Sequence, residues 1–312
     1  MLAHRLARFL VLFFAIYLAA NAQNGVTARE YYNRGQQRYS KGDYTGAIAD
    51  FTWAIELRAG NKSDPQQSQI GLQSGIDRSN TAPIVILDPF IANVYSCRAL
   101  AYYSRGNLDA ASADCESAIA IDPGLAQAYN TRGTIRWTRG DVDAAFTDFE
   151  RAIAIDPDAS DPYNNRANVR RLKGDLEGAL ADSDRAIARE PRRAEFHCNR
   201  GQTRQEKGDH DGALADFDLS LKLSPRLAGC YFARGKARLE SQDWRGAIAD
   251  FSRAIEFDAR FALAYANRGL AFLHQGQDRD AQKDFDRCLK LFPAFKPKLD
   301  ELISSATRVR KR

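Results

Sequence analysis

Residues 128–157 read AYNTRGTIRWTRGDVDAAFTDFERAIAIDP, and the spacing inside this stretch decides the fold. Tyr129 and Gly133 stand four residues apart, as do Ala145 and Phe149, a separation that places side chains on one face of an α-helix. Gly140-Asp141 interrupts the pattern midway, and Asp156-Pro157 ends it because proline lacks an N–H and cannot continue a helix. The stretch predicts two helices joined by a glycine turn. Gly133 and Ala145 are small enough to let the two backbones approach, while Tyr129 and Phe149 fill the seam that remains.

Working outward, the turn glycine returns at Gly106, Gly140, Gly174 and Gly208, then as Gln242 and Gly276, each 34 residues after the last. An earlier copy surrounds Gly42, so there are seven units: 28–58, 92–125, 126–159, 160–193, 194–227, 228–261 and 262–295. Numbering each from 1, position 4 is Tyr31, Tyr95, Tyr129, Tyr163, His197, Tyr231 and Tyr265, and position 20 is alanine throughout. Position 8 is Gly35, Ala99, Gly133, Ala167, Gly201, Gly235 and Gly269, and position 24 is Phe51, Cys115, Phe149, Ser183, Phe217, Phe251 and Phe285. A single helical hairpin cannot bury its apolar face alone, so the copies must stack. Unit 160–193, where Ala167 meets Ser183, is expected to pack least well.

These residues resemble the tetratricopeptide repeat family. The resemblance implies an all-α fold: a right-handed superhelical solenoid of seven helical hairpins closed by a C-terminal capping helix. Departures from the family pattern are Cys115 and Ser183 for phenylalanine, Gln242 for the turn glycine and Ala259 for the terminal proline. In Lys296–Thr307 the apolar residues Leu299, Leu302, Ile303 and Ala306 share one helical face, as a capping helix requires.

The remaining segments complete the organisation. Residues 1–22 read as a secretory signal, with His4, Arg5 and Arg8 before the apolar run Phe9 to Ala20 and the small-residue site Ala20-Asn21-Ala22. A linker and the first repeat follow over 23–58, then an insertion over 59–91 whose polar first part ends in the β-branched run Pro83-Ile84-Val85-Ile86-Leu87. Repeats two to seven span 92–295, and 296–312 is the cap with a basic tail. The protein is therefore expected to be exported, to the periplasm or outside the cell.

Composition narrows function. With 45 Lys+Arg against 40 Asp+Glu the chain is nearly balanced, which argues against nucleic acid as a partner and leaves membrane contact to the basic tail. Five cysteines without a CxxC pair and four histidines give little support for a disulfide framework or a zinc site. No phosphate loop, HExxH or GxSxG string occurs, so neither a catalytic residue nor a cofactor or metal is expected.

Position 7 is arginine and position 23 aspartate in every unit. Pairs such as Arg132 with Asp148, Arg166 with Asp182 and Arg200 with Asp216 are expected to form a structural ion-pair ladder, within one hairpin or between neighbours. By the resemblance, the binding surface is the concave groove lined by the first helix of each unit at positions 2, 5, 6, 9, 12 and 13. Asn33, Asn130, Asn164, Asn165, Asn168, Asn199 and Asn267 fall there or beside it, with Trp137 and Phe232. An asparagine amide both donates and accepts, so it matches a peptide bond without reading its side chain. A carboxylate clamp for chaperone tails is matched only at its central asparagine, because Asn164, Asn168, Gly229 and Ala233 stand where its other members would be. The expected partner is an extended segment of another protein, bound without catalysis in cell-envelope assembly or an exported complex. The alternative is a solenoid that self-associates or docks on envelope lipid or polysaccharide.

Overall fold

The computed structural model describes residues 26–60 and 88–310, and the chain divides into two compact units, Met1–Pro157 and Asp158–Arg312. The described residues form fifteen α-helices and no strand. In the first unit, α1 (Ala28–Ser40) pairs with α2 (Tyr44–Gly60), α3 (Pro89–Ser104) with α4 (Leu108–Ile121), and α5 (Ala126–Arg139) with α6 (Val142–Ile155). The second unit pairs α7 (Ser160–Leu172) with α8 (Leu176–Arg189), α9 (Ala194–Lys207) with α10 (His210–Leu223), α11 (Ala228–Glu240) with α12 (Trp244–Phe257), and α13 (Ala262–His274) with α14 (Asp278–Leu291). A 3₁₀ turn, Pro293–Phe295, leads into α15 (Lys296–Arg310). Inside each unit the second helix of one hairpin packs on the first helix of the next, so hairpins stack as the 34-residue period requires.

Residues 1–22, which read as a signal, and residues 61–87 of the insertion lie outside the described residues. The flanks of the insertion are clasped, since Arg58 Nε donates to Asp88 Oδ2 at 2.7 Å and α2 packs on α3. Helix α3 starts at Pro89, ahead of the periodicity boundary at Ala92. The reason is local: Asp88 caps it by accepting from the Phe90 N–H, and Pro89 sits in the first turn where its missing N–H costs nothing.

The seam of each hairpin is set by size. A Cβ placed on Gly133 would lie 2.6 Å from Phe149 Cε1, and the glycines at 35, 201, 235 and 269 face Phe51, Phe217, Phe251 and Phe285 equally closely. Where alanine takes the glycine's place the phenylalanine is gone: Ala99 accompanies Cys115 and Ala167 accompanies Ser183, all buried. Ala167 and Ser183 are therefore a compensated pair, yet the buried Ser183 hydroxyl has no hydrogen-bond partner among the described residues. At the C-terminal end α15 packs on α13, burying Leu299 and Ala306 against a cluster that includes Leu270 and Leu273.

The arginine at position 7 and the aspartate at position 23 meet within one hairpin. In all seven, arginine Nε and Nη2 donate to the two carboxylate oxygens at 2.6–3.0 Å. This planar two-point fit is one lysine cannot make. Five of the aspartates take a second guanidinium from position 11, as Arg136 does to Asp148 and Arg204 to Asp216. The third donor of the first arginine reaches the preceding repeat at several steps, Arg98 to Thr52, Arg200 to Asp184 and Arg268 to Ser252. At Asp114, where Tyr102 replaces the second arginine, burial pushes the carboxyl pKa up.

The turn glycines at 42, 106, 140, 174, 208 and 276 have positive φ, and Gln242 is held at φ 64 in the same left-handed conformation. Gln242→Gly is expected to raise stability by about 1 kcal/mol, read as a shift in the urea midpoint at unchanged slope. Ala167→Gly together with Ser183→Phe should restore the common seam and remove the orphan hydroxyl, adding roughly 1–2 kcal/mol. Ser183→Phe alone should destabilise, because the ring then meets the Ala167 methyl, and a double-mutant cycle reads that coupling.

Candidate functional site

In the second unit the first helices α7, α9 and α11 present their groove positions along one side. Asn164, Asn165 and Asn199 come together there: Asn199 Nδ2 donates to Asn164 Oδ1 at 2.9 Å, and Asn164 Nδ2 lies 3.4 Å from Asn165 Oδ1. Asn164 is buried, so its amide joins two repeats rather than facing a ligand. Asn168, one turn along α7, is half-buried and makes no hydrogen bond among the described residues. Asn267 turns its Nδ2 back to the Leu263 carbonyl at 2.8 Å. In the first unit Asn33 is exposed on α1, while Asn130 and Trp137 are half-buried on α5, with α3 and its hairpin between them in the chain. The asparagines thus form one short cluster on α7 and α9 and isolated members elsewhere.

A cavity of about 260 Å³ is lined by residues of α7, α9, α10 and α11. Phe217 and Phe232 give it apolar wall, and Gln202 lines it from α9. Its opening traces to two small groove residues on α11: Gly229 at position 2 and Ala233 at position 6, where the preceding repeat carries Glu195 and Asn199. The rim is charged but largely self-engaged. Arg171 is ion-paired with Glu206, and Gln205 donates to Glu240 at 2.5 Å. The Lys236 ammonium, also at the cavity, forms no ion pair among the described residues. Phe232 was legible as a groove residue from the period; the cavity was not, because it is defined by side-chain volume missing at Gly229 and Ala233.

Those rim contacts belong to a regular pattern. At four steps position 12 of one first helix bonds position 13 of the next: Tyr39 Oη to Ser104 Oγ at 3.3 Å, Tyr103 Oη to Thr138 Oγ1 at 3.2 Å, Arg171 to Glu206, and Gln205 to Glu240. Two of the six expected groove positions are thereby used to tie repeats together.

The imidazoles are dispersed, and of the thiols Cys198 and Cys230 lie together. Burial pushes the Cys115 thiol up to about 12, and the buried Cys198 thiol, hydrogen-bonded to Cys230, is pushed up as well. Tyr32 Oη lies 3.6 Å from Cys97 Sγ and accepts from Gln36 Nε2, and burial raises that phenol too. These shifts favour the neutral form, whereas the hydrogen bond with Cys198 holds the Cys230 thiol below its ordinary value. His197 Nε2 donates to the Pro191 carbonyl at 2.8 Å, and His210 Nδ1 lies 3.1 Å from Gln205 Oε1. His274 stacks on Trp244 with centroids 4.3 Å apart and planes within 6°. Among the described residues no three His, Cys, Asp or Glu side chains are grouped to hold a metal, and no helix is long and apolar enough to cross a membrane.

Burial holds the His274 imidazole below its ordinary pKa of 6.5. The unfolded chain therefore takes up that proton first, and the stability present above 6.5 is lost as pH falls toward the lower folded value. The expected result is that His274→Phe, which keeps an aromatic stack, loses less stability than the parent between about pH 7 and about pH 5.5, measured by urea titration at each pH.

Comparison with known proteins bears on the same residues. Family models described as tetratricopeptide repeat match residues 97–162, 164–228 and 262–295, and one described as TPR repeat matches 235–276. None of the curated proteins matches this chain. Among solved structures, a tetratricopeptide repeat protein from Parabacteroides merdae is similar over 90% of this chain and 98% of its own, at 16% identity and TM-score 0.60. The Cut9-Hcn1 hetero-tetramer of APC/C is similar over 89% of this chain and 55% of the matched chain, at 14% identity and TM-score 0.65. Pseudomonas aeruginosa PilF matches over 65% and 92%, at 20% identity and TM-score 0.55. Identities this low speak to the fold.

Proposed function

We propose that this chain, which carries tetratricopeptide repeats, is a non-catalytic scaffold that grips an extended segment of another protein along α7, α9 and α11. Repeats of this family act in general as protein–protein interaction scaffolds, which gives the class. The observation that carries the particular reading is the cavity of about 260 Å³ bounded by Phe217 and Phe232 and lined by Gln202, one helical turn along α9 from the Asn199 that bonds Asn164. An apolar side chain of the segment fills the cavity. Its backbone lies along Asn168 and Asn199, whose amides retain capacity to donate and accept. Gln202 extends the same amide surface.

The residues 1–22 that read as a signal support an exported setting, and with it a partner in cell-envelope assembly or an exported complex. The dispersed histidines support binding rather than turnover.

Immobilised protein is expected to retain a defined polypeptide from its native compartment. Ala233→Phe should fill the cavity and abolish retention with the unfolding midpoint unchanged. Asn168→Ala with Asn199→Ala should weaken it by about 1–2 kcal/mol, roughly one hydrogen bond to the ligand per amide. Full retention by both variants would place the binding surface elsewhere.

A further inference from the structure

Each hairpin of the second unit is joined to the next by a β-turn closed by one backbone bond: Arg193 N to Glu190 O at 3.2 Å, Leu227 N to Ser224 O at 3.4 Å, and Phe261 N to Asp258 O at 3.1 Å. The third residue of each turn is an arginine: Arg192, Arg226 and Arg260. The corresponding turn of the first unit, Asp122 to Leu125, has Gly124 there. All three arginines are exposed, and none forms an ion pair among the described residues, although Arg226 lies over the Phe257 ring at 5.7 Å. That sets them apart from the groove and hairpin arginines. The adjacent Arg193, one residue on, is engaged by Asp161, Glu190 and Glu195.

Because the turns are equivalent and the hairpins stack in succession, the three guanidiniums fall in a row along one edge of the unit, one per repeat. We propose that this edge is a second docking surface, separate from the groove, for an extended acidic polypeptide whose carboxylates meet the arginines one by one. A guanidinium offers a carboxylate two parallel donors, so arginine at all three positions suits discrete anionic groups. Acidic side chains accompany two of the cations: Glu190 and Asp258 open the turns that carry Arg192 and Arg260, two residues before each. A continuous anionic lipid surface meets those acids as well as the arginines and is repelled there, whereas a flexible chain places its charges at the arginines alone. This distinction selects a polypeptide over a membrane.

The test uses the full chain and poly-L-glutamate as the probe. Binding measured by fluorescence anisotropy is expected at low salt and to weaken as salt rises. Replacing Arg192, Arg226 and Arg260 together by Gln should reduce the affinity roughly tenfold, the sum of three exposed ion pairs. A control with the same charge change at the exposed residues Arg105, Arg245 and Arg279 should leave it within about twofold. All six positions are exposed, and circular dichroism checks that each variant stays folded. Equal loss in both triple variants would reduce the effect to net charge and overturn the proposal. So would unchanged binding in the first variant, or arginine-dependent binding to phosphatidylglycerol vesicles without binding to poly-L-glutamate. The cavity variant Ala233→Phe should keep full affinity for the probe, which separates this edge from the groove.

Discussion

The buried carboxylate at position 23 is the constraint on which each hairpin depends. Asp182 is fully buried and Asp148, Asp216 and Asp250 nearly so, each carrying charge into a helix–helix seam. Unpaired, such a charge costs several kcal/mol, far more than any one contact around it returns. Every hairpin answers with the same arginine, held flat against both oxygens, and five add a second from one turn along the same helix. The second guanidinium also reaches the carbonyl at position 19, as Arg38 does to Gly46, Arg170 to Gly178 and Arg204 to Gly212. One carboxylate thereby fixes the register of the first helix against the second and anchors the start of the second.

That arrangement makes the hairpin's specificity partly separable from its packing. A seam of glycine, alanine and phenylalanine is apolar and could slide by a turn with little loss, since similar residues recur along it. A bidentate ion pair has one geometry, and a slip leaves both partners desolvated and unmatched. The size exchange at positions 8 and 24 is a second device of the same kind. Glycine admits phenylalanine and alanine stands with cysteine or serine, so the alanine methyl is offset only in part by the lost ring and the seam avoids a clash while giving up volume.

The fold was legible because its determinants are local and repeat. Tyr129, Gly133, Ala145, Phe149 and the stop at Asp156-Pro157 define a hairpin from a single stretch, and seven copies remove the ambiguity that one would carry. The pairing of arginine with aspartate was legible as recurrence, but its assignment within one hairpin required the structure, since a stack also brings neighbouring repeats together. The groove was legible only as a set of positions. What the period could not show is which of those side chains are already engaged. Asn164 is buried between repeats, Asn267 bonds its own helix, and positions 12 and 13 pair across successive repeats. Nor does a list of residues present reveal a cavity made by residues that are small, as Gly229 and Ala233 are.

The same reasoning explains why the cavity, the amide cluster and the arginine row proposed for binding lie in the second unit at places where the repeat is under less demand. Positions 4, 7, 8, 20, 23 and 24 are fixed by the seam and the ion pair, and 12 and 13 by the bonds between neighbours. That leaves positions 2, 5, 6 and 9 of the first helix, and the turn between hairpins, as sites under less demand, although Asn164 at position 5 and Asn199 at position 6 also join two repeats. The cavity arises at positions 2 and 6 of one repeat, the amide cluster at 5, 6 and 9 of two others, and the arginine row at the turn. A repeat protein acquires a particular ligand by varying these tolerant positions against an invariant seam, so departures from the period there carry the functional information, and departures at the seam carry stability.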